Sequence, residues 1–354
     1  MHDTGSRRLL RLTTHAAAGG VFALMLLSGC GAVEHYTRPG GIWGPGEGGS
    51  SNSSTTASQT ITPEQLLTAG RRLKTQGDID RALRAFERAI EINPEFTQAY
   101  LSAGDIYREQ GDYAAAERQY GQAATVEPRN FDAQYLHGLS LQLLTRFGES
   151  IRAYLRALAI RPDDFNANLN VATAYLQVGE AQQGLTYAQR AVRLNPQSGE
   201  ARVNLGSIYG GLGQHDNAVT EYQQASELMP LNGELLLNLA NSLYSLGRYA
   251  EAANTLEEGV MVGPSAIAFE RLGASRYKLG QAEQAEAAFR RALEIDPRHY
   301  PAMNGVAVCL LSRYVLSRES DEAARVEAMN MLRGSLQIEG RQDKVIELLR
   351  QFNN

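Results

Sequence analysis

The chain has 354 residues, 43% hydrophobic and 21% charged, a balance that supports a sizeable buried core. The formal net charge of −5 argues against nucleic acid as a main partner, because phosphate binding needs a basic surface. With only Cys30 and Cys309 present, there is no disulfide framework.

The N-terminus reads as an address. Arg7, Arg8 and Arg11 precede an apolar run from Ala16 to Leu27. That run is too short to cross a bilayer as a helix and suits the core of a signal peptide over residues 1–29. It ends in Leu27-Ser28-Gly29-Cys30, which resembles the lipobox of bacterial lipoproteins. The resemblance implies that Cys30 is lipidated and becomes the first residue after cleavage. Gly31, standing where an Asp would retain a lipoprotein at the inner membrane, implies the outer membrane in a Gram-negative host. A general secretory signal with a chance cysteine is the alternative, and Ser6-Arg7-Arg8-Leu9-Leu10 faintly resembles a twin-arginine signal.

Residues 30–60 read as the lipidated cysteine and a flexible tether. Gly40-Gly41, Gly44-Pro45-Gly46, Gly48-Gly49 and the run from Ser50 to Thr56 offer little to bury against the entropy of ordering them. Trp43 is read as a linker aromatic, and Asn52-Ser53-Ser54 as an accidental match to a glycosylation acceptor.

From residue 61 the chain repeats. Pro94, Pro128, Pro162, Pro196, Pro230, Pro264 and Pro297 follow one another at steps of 34, with a final step of 33. Four further columns ride on that frame. Gly70, Gly104, Gly138, Ala172, Gly206, Ala240 and Gly273 form a small-residue column. Gly77, Gly111, Thr145, Gly179, Gly213, Gly247 and Gly280 form a turn column. Phe86, Tyr120, Tyr154, Ala188, Tyr222, Leu256 and Phe289 form a mostly large one, and Ala89 to Ala292 a second small one. Between the breakers, apolar residues recur at the helical period, and nothing alternates with period two. Small residues are expected to let two helices of a hairpin approach. The turn glycine ends the first helix in a left-handed conformation, and the proline stops the second. The large residue is expected to fill the space between neighbouring hairpins. Repeats three and four, with Thr145 and Ala188, depart from the pattern and are expected to pack more loosely.

The 34-residue period, Leu205-Gly206-Ser207-Ile208-Tyr209 and Ala85-Phe86-Glu87-Arg88-Ala89 closely resemble the tetratricopeptide repeat family. The resemblance implies an all-α fold: an α-solenoid, a right-handed superhelix of antiparallel helical hairpins, with seven repeats over residues 61–298. Residues 299–354 read as a degenerate eighth repeat and a capping helix. Its first helix is placed at about Pro301 to Arg313, its second after an N-cap at Ser320, and about nine inserted residues in the turn between them. Asp343 to Phe352 would cover the end of the stack.

No catalytic or cofactor motif emerges. His35, His137, His215 and His299 are scattered, no Cys/His cluster suggests a metal, and no phosphate loop or nucleophile elbow occurs. Gly44-Pro45-Gly46-Glu47-Gly48-Gly49 fits a dinucleotide-binding pattern by letter only. His137 and Cys309 read as packed core residues, and Glu87, Glu91 and Glu117 as solvated surface. With no room for a catalytic domain after residue 60, the chain is expected to be no enzyme and to need no cofactor.

What remains is surface, and the family resemblance implies that the first helix of each repeat lines a concave groove. There, Asn170, Asn204 and Asn238 occupy one column in consecutive repeats, flanked by Thr68, Ser102 and Leu136 before and Arg271 after. An amide offers a donor and an acceptor, matching one peptide unit. With Asn166 and Asn241 nearby, the column resembles the asparagine ladder of some peptide-binding superhelices. The alternative is that these amides bond neighbouring helices.

The sequence therefore suggests a membrane-anchored adaptor in the bacterial cell envelope. It would bind protein or peptide partners through the groove and the membrane through Cys30, with no nucleic acid. Pilotin-type lipoproteins of type IV pili, the tight-adherence pilus lipoprotein TadD and adaptors of peptidoglycan hydrolases are functional analogues. A self-assembling structural lipoprotein is the alternative class.

Overall fold

The computed structural model describes residues 61–352, so the signal peptide, Cys30 and the tether lie outside the described residues. Within them the backbone forms seventeen helices and no strand.

The helices pair into hairpins. The first helix of each pair is called A and the second B. In chain order they are α1 (Pro63–Thr75) with α2 (Ile79–Ile92), α3 (Thr97–Glu109) with α4 (Tyr113–Val126), and α5 (Phe131–Leu143) with α6 (Phe147–Ile160). Then come α7 (Phe165–Gln177) with α8 (Ala181–Leu194), α9 (Gly199–Gly211) with α10 (His215–Leu228), and α11 (Gly233–Ser245) with α12 (Tyr249–Val262). The stack ends with α13 (Ala266–Lys278) and α14 (Ala282–Ile295), α15 (Tyr300–Leu316) and α16 (Glu322–Ile338), and the single helix α17 (Asp343–Phe352).

Local chemistry sets these boundaries. Thr62, Asn130, Asp164, Ser198, Asn232 and Ser265 cap A helices by accepting a hydrogen bond from the backbone N–H three residues on. Two positions past the end of each A helix of the seven regular repeats stands a residue with positive φ. Six are glycines at φ 73 to 80, and the seventh is Thr145 at φ 58. A β-branched residue is strained there, because its Cβ crowds the backbone.

The core has a rule that concerns single hairpins. The large B-helix residue sits against the small A-helix residue sixteen positions earlier. A Cβ added to Gly138 would stand 2.7 Å from the Tyr154 ring, and one on Gly206 2.8 Å from the Tyr222 ring. The large column therefore fills the space inside its own hairpin rather than chiefly between hairpins. Phe289 does both, since it also lies against Gly305 of the next repeat. The five repeats with Gly in the A column carry Phe or Tyr in B; the two with Ala, at Ala172 and Ala240, carry Ala188 and Leu256. Small space and small residue match, so repeat four closes with both partners fully buried. The tyrosine hydroxyls find A-helix acceptors: Tyr120 donates to Asp105 at 2.8 Å and Tyr154 to Gln142 at 2.9 Å.

The eighth repeat differs from the expectation. Its turn is only slightly longer than the others, and both helices are extended to 17 residues, against 13 and 14 in regular A and B helices. The insertion is absorbed mainly as helix, which satisfies its backbone groups internally. Asp321, not Ser320, caps α16. Ser320 instead bonds back to Ser317. Helix α17 buries Val345, Leu348 and Phe352 against the last hairpin. Asn304 of α15 donates to Gln342 at 2.7 Å and ties the cap's start to the stack.

Candidate partner-binding groove

Every successive pair of A helices is in contact along the stack, from α1 with α3 to α13 with α15, and no comparable contact joins successive B helices. The side on which neighbours crowd is the inner side of the curve. The A helices therefore line the concave face.

The asparagine column lies on that face, and the structure divides it. Asn170 donates from Nδ2 to the Tyr135 hydroxyl of the preceding A helix at 3.1 Å. Asn204 donates from Nδ2 to Thr173 Oγ1, again one repeat back, at 2.6 Å. Its Oδ1 is sealed from solvent without a partner. Both amides thus tie adjacent repeats together. Asn238 and Asn241, half-buried on α11, make no side-chain hydrogen bond within the described residues. Asn166, exposed in the first turn of α7, is likewise uncommitted. Free amide chemistry is therefore concentrated on α11, with Asn166 apart from it.

Two charged residues complete that segment. Arg271 continues the asparagine column into repeat seven. Glu270, beside it, occupies a column that is otherwise apolar: Leu67, Leu101, Tyr135, Leu169, Val203 and Leu237. Glu270 is 8% exposed. Burial raises its pKa, against the smaller opposing pull of Arg271. Arg271 Nε lies 3.4 Å from the carboxylate and has no hydrogen-bond partner of its own. Tyr244 of α11 feels both charges, and burial first of all pushes its hydroxyl up to about 12. Glu270 was the functional candidate missed in the sequence reading. The signal available was a charge interrupting six apolar residues at one repeat position.

The remaining candidates fall elsewhere. His137 packs over Gly121 with Nε2 3.3 Å from Glu117 Oε1, and burial lowers its pKa. Cys309 is buried in the core of the last repeats, and burial raises its thiol to about 12. That suppresses the thiolate a nucleophile requires. Among the described residues no group of three or more His, Cys, Asp or Glu is placed to hold a metal, and no helix is long and apolar enough to cross a membrane.

Seven hairpins of one geometry, an altered eighth and an end cap define an α-solenoid whose concave face is lined by A helices. Tetratricopeptide repeat models match residues 67–209 in four overlapping stretches, 211–274 and 266–299, and the chain belongs to the tetratricopeptide repeat family. No catalytic family is indicated. No curated protein matches the chain. Similar solved structures include the APC/C hetero-tetramer Cut9-Hcn1, 17% identical, over 85% of this chain and 57% of that one, with a TM-score of 0.55. This chain thus spans little more than half the length of that relative. YrrB, described as a tetratricopeptide protein with an unusual peptide-binding site, is 20% identical over 56% of this chain and 99% of its own, with a TM-score of 0.46. Pseudomonas aeruginosa pilF is 18% identical over 62% and 97%, with a TM-score of 0.48. At these identities the likeness concerns the fold.

Proposed function

We propose that this protein is an adaptor of the bacterial cell envelope, held to a membrane through lipidated Cys30 and binding a partner protein in its concave groove. The observation that carries the binding part is the uncommitted polar chemistry on one stretch of groove: Asn238 and Asn241 without partners, beside Glu270 and Arg271. Tetratricopeptide proteins bind protein or peptide partners, and a groove that keeps amides free of internal bonds has them available for a partner's backbone. The anchoring part rests on Leu27-Ser28-Gly29-Cys30, and outer-membrane placement on Gly31. Assembly of a pilus or secretion system, in the manner of pilotin-type or TadD-like lipoproteins, is the envelope process this combination suits.

Two measurements test the two parts separately. Cys30→Ala should abolish labelling by a fatty-acid probe and move the protein from membrane to soluble fractions; label retained on the variant overturns the anchor. Affinity capture from envelope extracts should recover discrete partners with the parent chain and lose them when Asn238 and Asn241 are both replaced by Ala. Capture of nothing but further copies of the chain would favour the self-assembling alternative.

A further inference from the structure

Resting on the groove reading above, we infer that Glu270 makes this groove selective for a partner segment bearing a lysine or arginine side chain, received between α11 and α13. Three observations converge. First, a carboxylate, itself buried, stands in an otherwise apolar column without a hydrogen-bond donor to satisfy it. Its one ionic neighbour, Arg271 Nε, stands at 3.4 Å, too far for a good hydrogen bond. Burying a charge is costly unless it is paired and hydrogen-bonded, and the raised pKa of Glu270 reflects that deficit. The Glu270 side chain keeps 10% of its surface exposed, which leaves an incoming donor room to reach it.

Second, the groove leading to Glu270 has a sign. The A helices of repeats three to six carry Asp132, which pairs with Arg161 at 3.8 Å, and Glu200 and Glu234. Against these stands a single Lys or Arg, Arg202, which is committed to Glu221 of α10 at 3.0 Å. Glu200 and Glu234 are exposed and make no ion pair. An approaching cation is therefore attracted to α9 and α11 before it meets Glu270 on α13, a helix that also carries Arg271, Lys278 and Arg276, the last paired with Glu257. Third, α11, the A helix in contact with α13, carries Asn238 and Asn241 with free amides that can hold the backbone leading to an inserted side chain. The ammonium or guanidinium supplies the donors that Arg271 does not, while Arg271 keeps its outer N–H groups toward solvent.

The test uses a displayed library of random twelve-residue peptides selected on the immobilised full chain. Binders should be enriched in Lys or Arg at one position. A selected peptide should bind roughly ten- to hundred-fold more tightly than its norleucine analogue, the discrimination that a hydrogen bond to a charged group supports. With Glu270→Gln this preference should collapse while the norleucine analogue binds as before. Glu270→Leu, which restores the residue type of the other repeats, should fold normally by circular dichroism and show the same collapse. Binders that lack basic enrichment, or that favour Asp and Glu, overturn the inference and leave the groove reading standing. Failure to recover any peptide that Asn238→Ala with Asn241→Ala abolishes overturns the groove reading, and this inference with it.

Discussion

Repeats four and five both carry an asparagine in one column, repeats six and seven carry Asn238 and Arg271 there, and the two pairs use the column differently. In the first pair, Asn170 and Asn204 bridge to the previous A helix, because a hydroxyl stands within reach at Tyr135 and Thr173. In the second pair the hydroxyl equivalent to Thr173, that of Ser207, accepts from Tyr222 at 3.1 Å and not from Asn238, and the next residue in the column is Arg271. An amide at one repeat position is thus a staple where its neighbour offers an acceptor and a binding group where it does not. The same residue type is not the same function along a solenoid.

Two double substitutions break this comparison most sharply. Asn238→Ala with Asn241→Ala should weaken partner binding by about 1–3 kcal/mol, or roughly five- to 150-fold, as two hydrogen bonds of about 0.5–1.5 kcal/mol each are lost. The melting transition should stay in place, since no internal bond is broken. Asn170→Ala with Asn204→Ala should act the other way. It removes two ties between repeats and costs about 1–3 kcal/mol of stability, read as a lower urea midpoint, with a smaller effect on affinity. If both pairs lower affinity equally and neither moves the midpoint, the division of the column is wrong.

The division was not legible in the sequence, and the reason is physical. The acceptors lie 31 and 35 residues before their donors, and whether the side chains meet depends on how far each hairpin rotates on the last. The repeat frame itself was legible, because prolines, turn glycines and small residues report backbone constraints that are local. The pairing of Gly with aromatic and Ala with Ala or Leu was also present, sixteen positions apart, and reading those columns as a pair would have corrected the placement of the large residue. The insertion in repeat eight was located wrongly because counting residues to Gly340 gives the total length but not its division between helix and turn.

Repeat three supplies a second comparison, of one turn with six. Thr145 takes the left-handed conformation that glycine adopts elsewhere, at φ 58. Thr145→Gly should relieve that strain and raise stability by about 1 kcal/mol, less the extra entropy of the unfolded chain. The reverse change at an equivalent turn, Gly179→Thr at φ 77, should lower stability by a similar amount. Chemical denaturation of both variants checks the sign, and a destabilised Thr145→Gly would mean that the threonine side chain contributes something the backbone argument omits.

The smallest effect separates buried groups of opposite sign. Burial lowers the pKa of His137 and His299, so the folded protein prefers both rings neutral. A histidine with a depressed folded pKa gives its full stability above the ordinary value of 6.5, and that stability is lost as pH falls through the folded value. Glu270 is the reverse case. Its raised pKa means that its protonated form is favoured, so stability declines as pH rises above the ordinary 4.5 toward the folded value. Any overlap of the two windows lies above pH 4.5 and below pH 6.5, and there the terms oppose and flatten the dependence of stability on pH. Glu270→Gln should therefore steepen the rise in stability with pH across that window, and His137→Gln with His299→Gln should reverse its slope. Urea midpoints measured at half-unit intervals decide it: an unchanged slope in Glu270→Gln would show that Arg271 already compensates the buried carboxylate, leaving it no need of a cation from a partner.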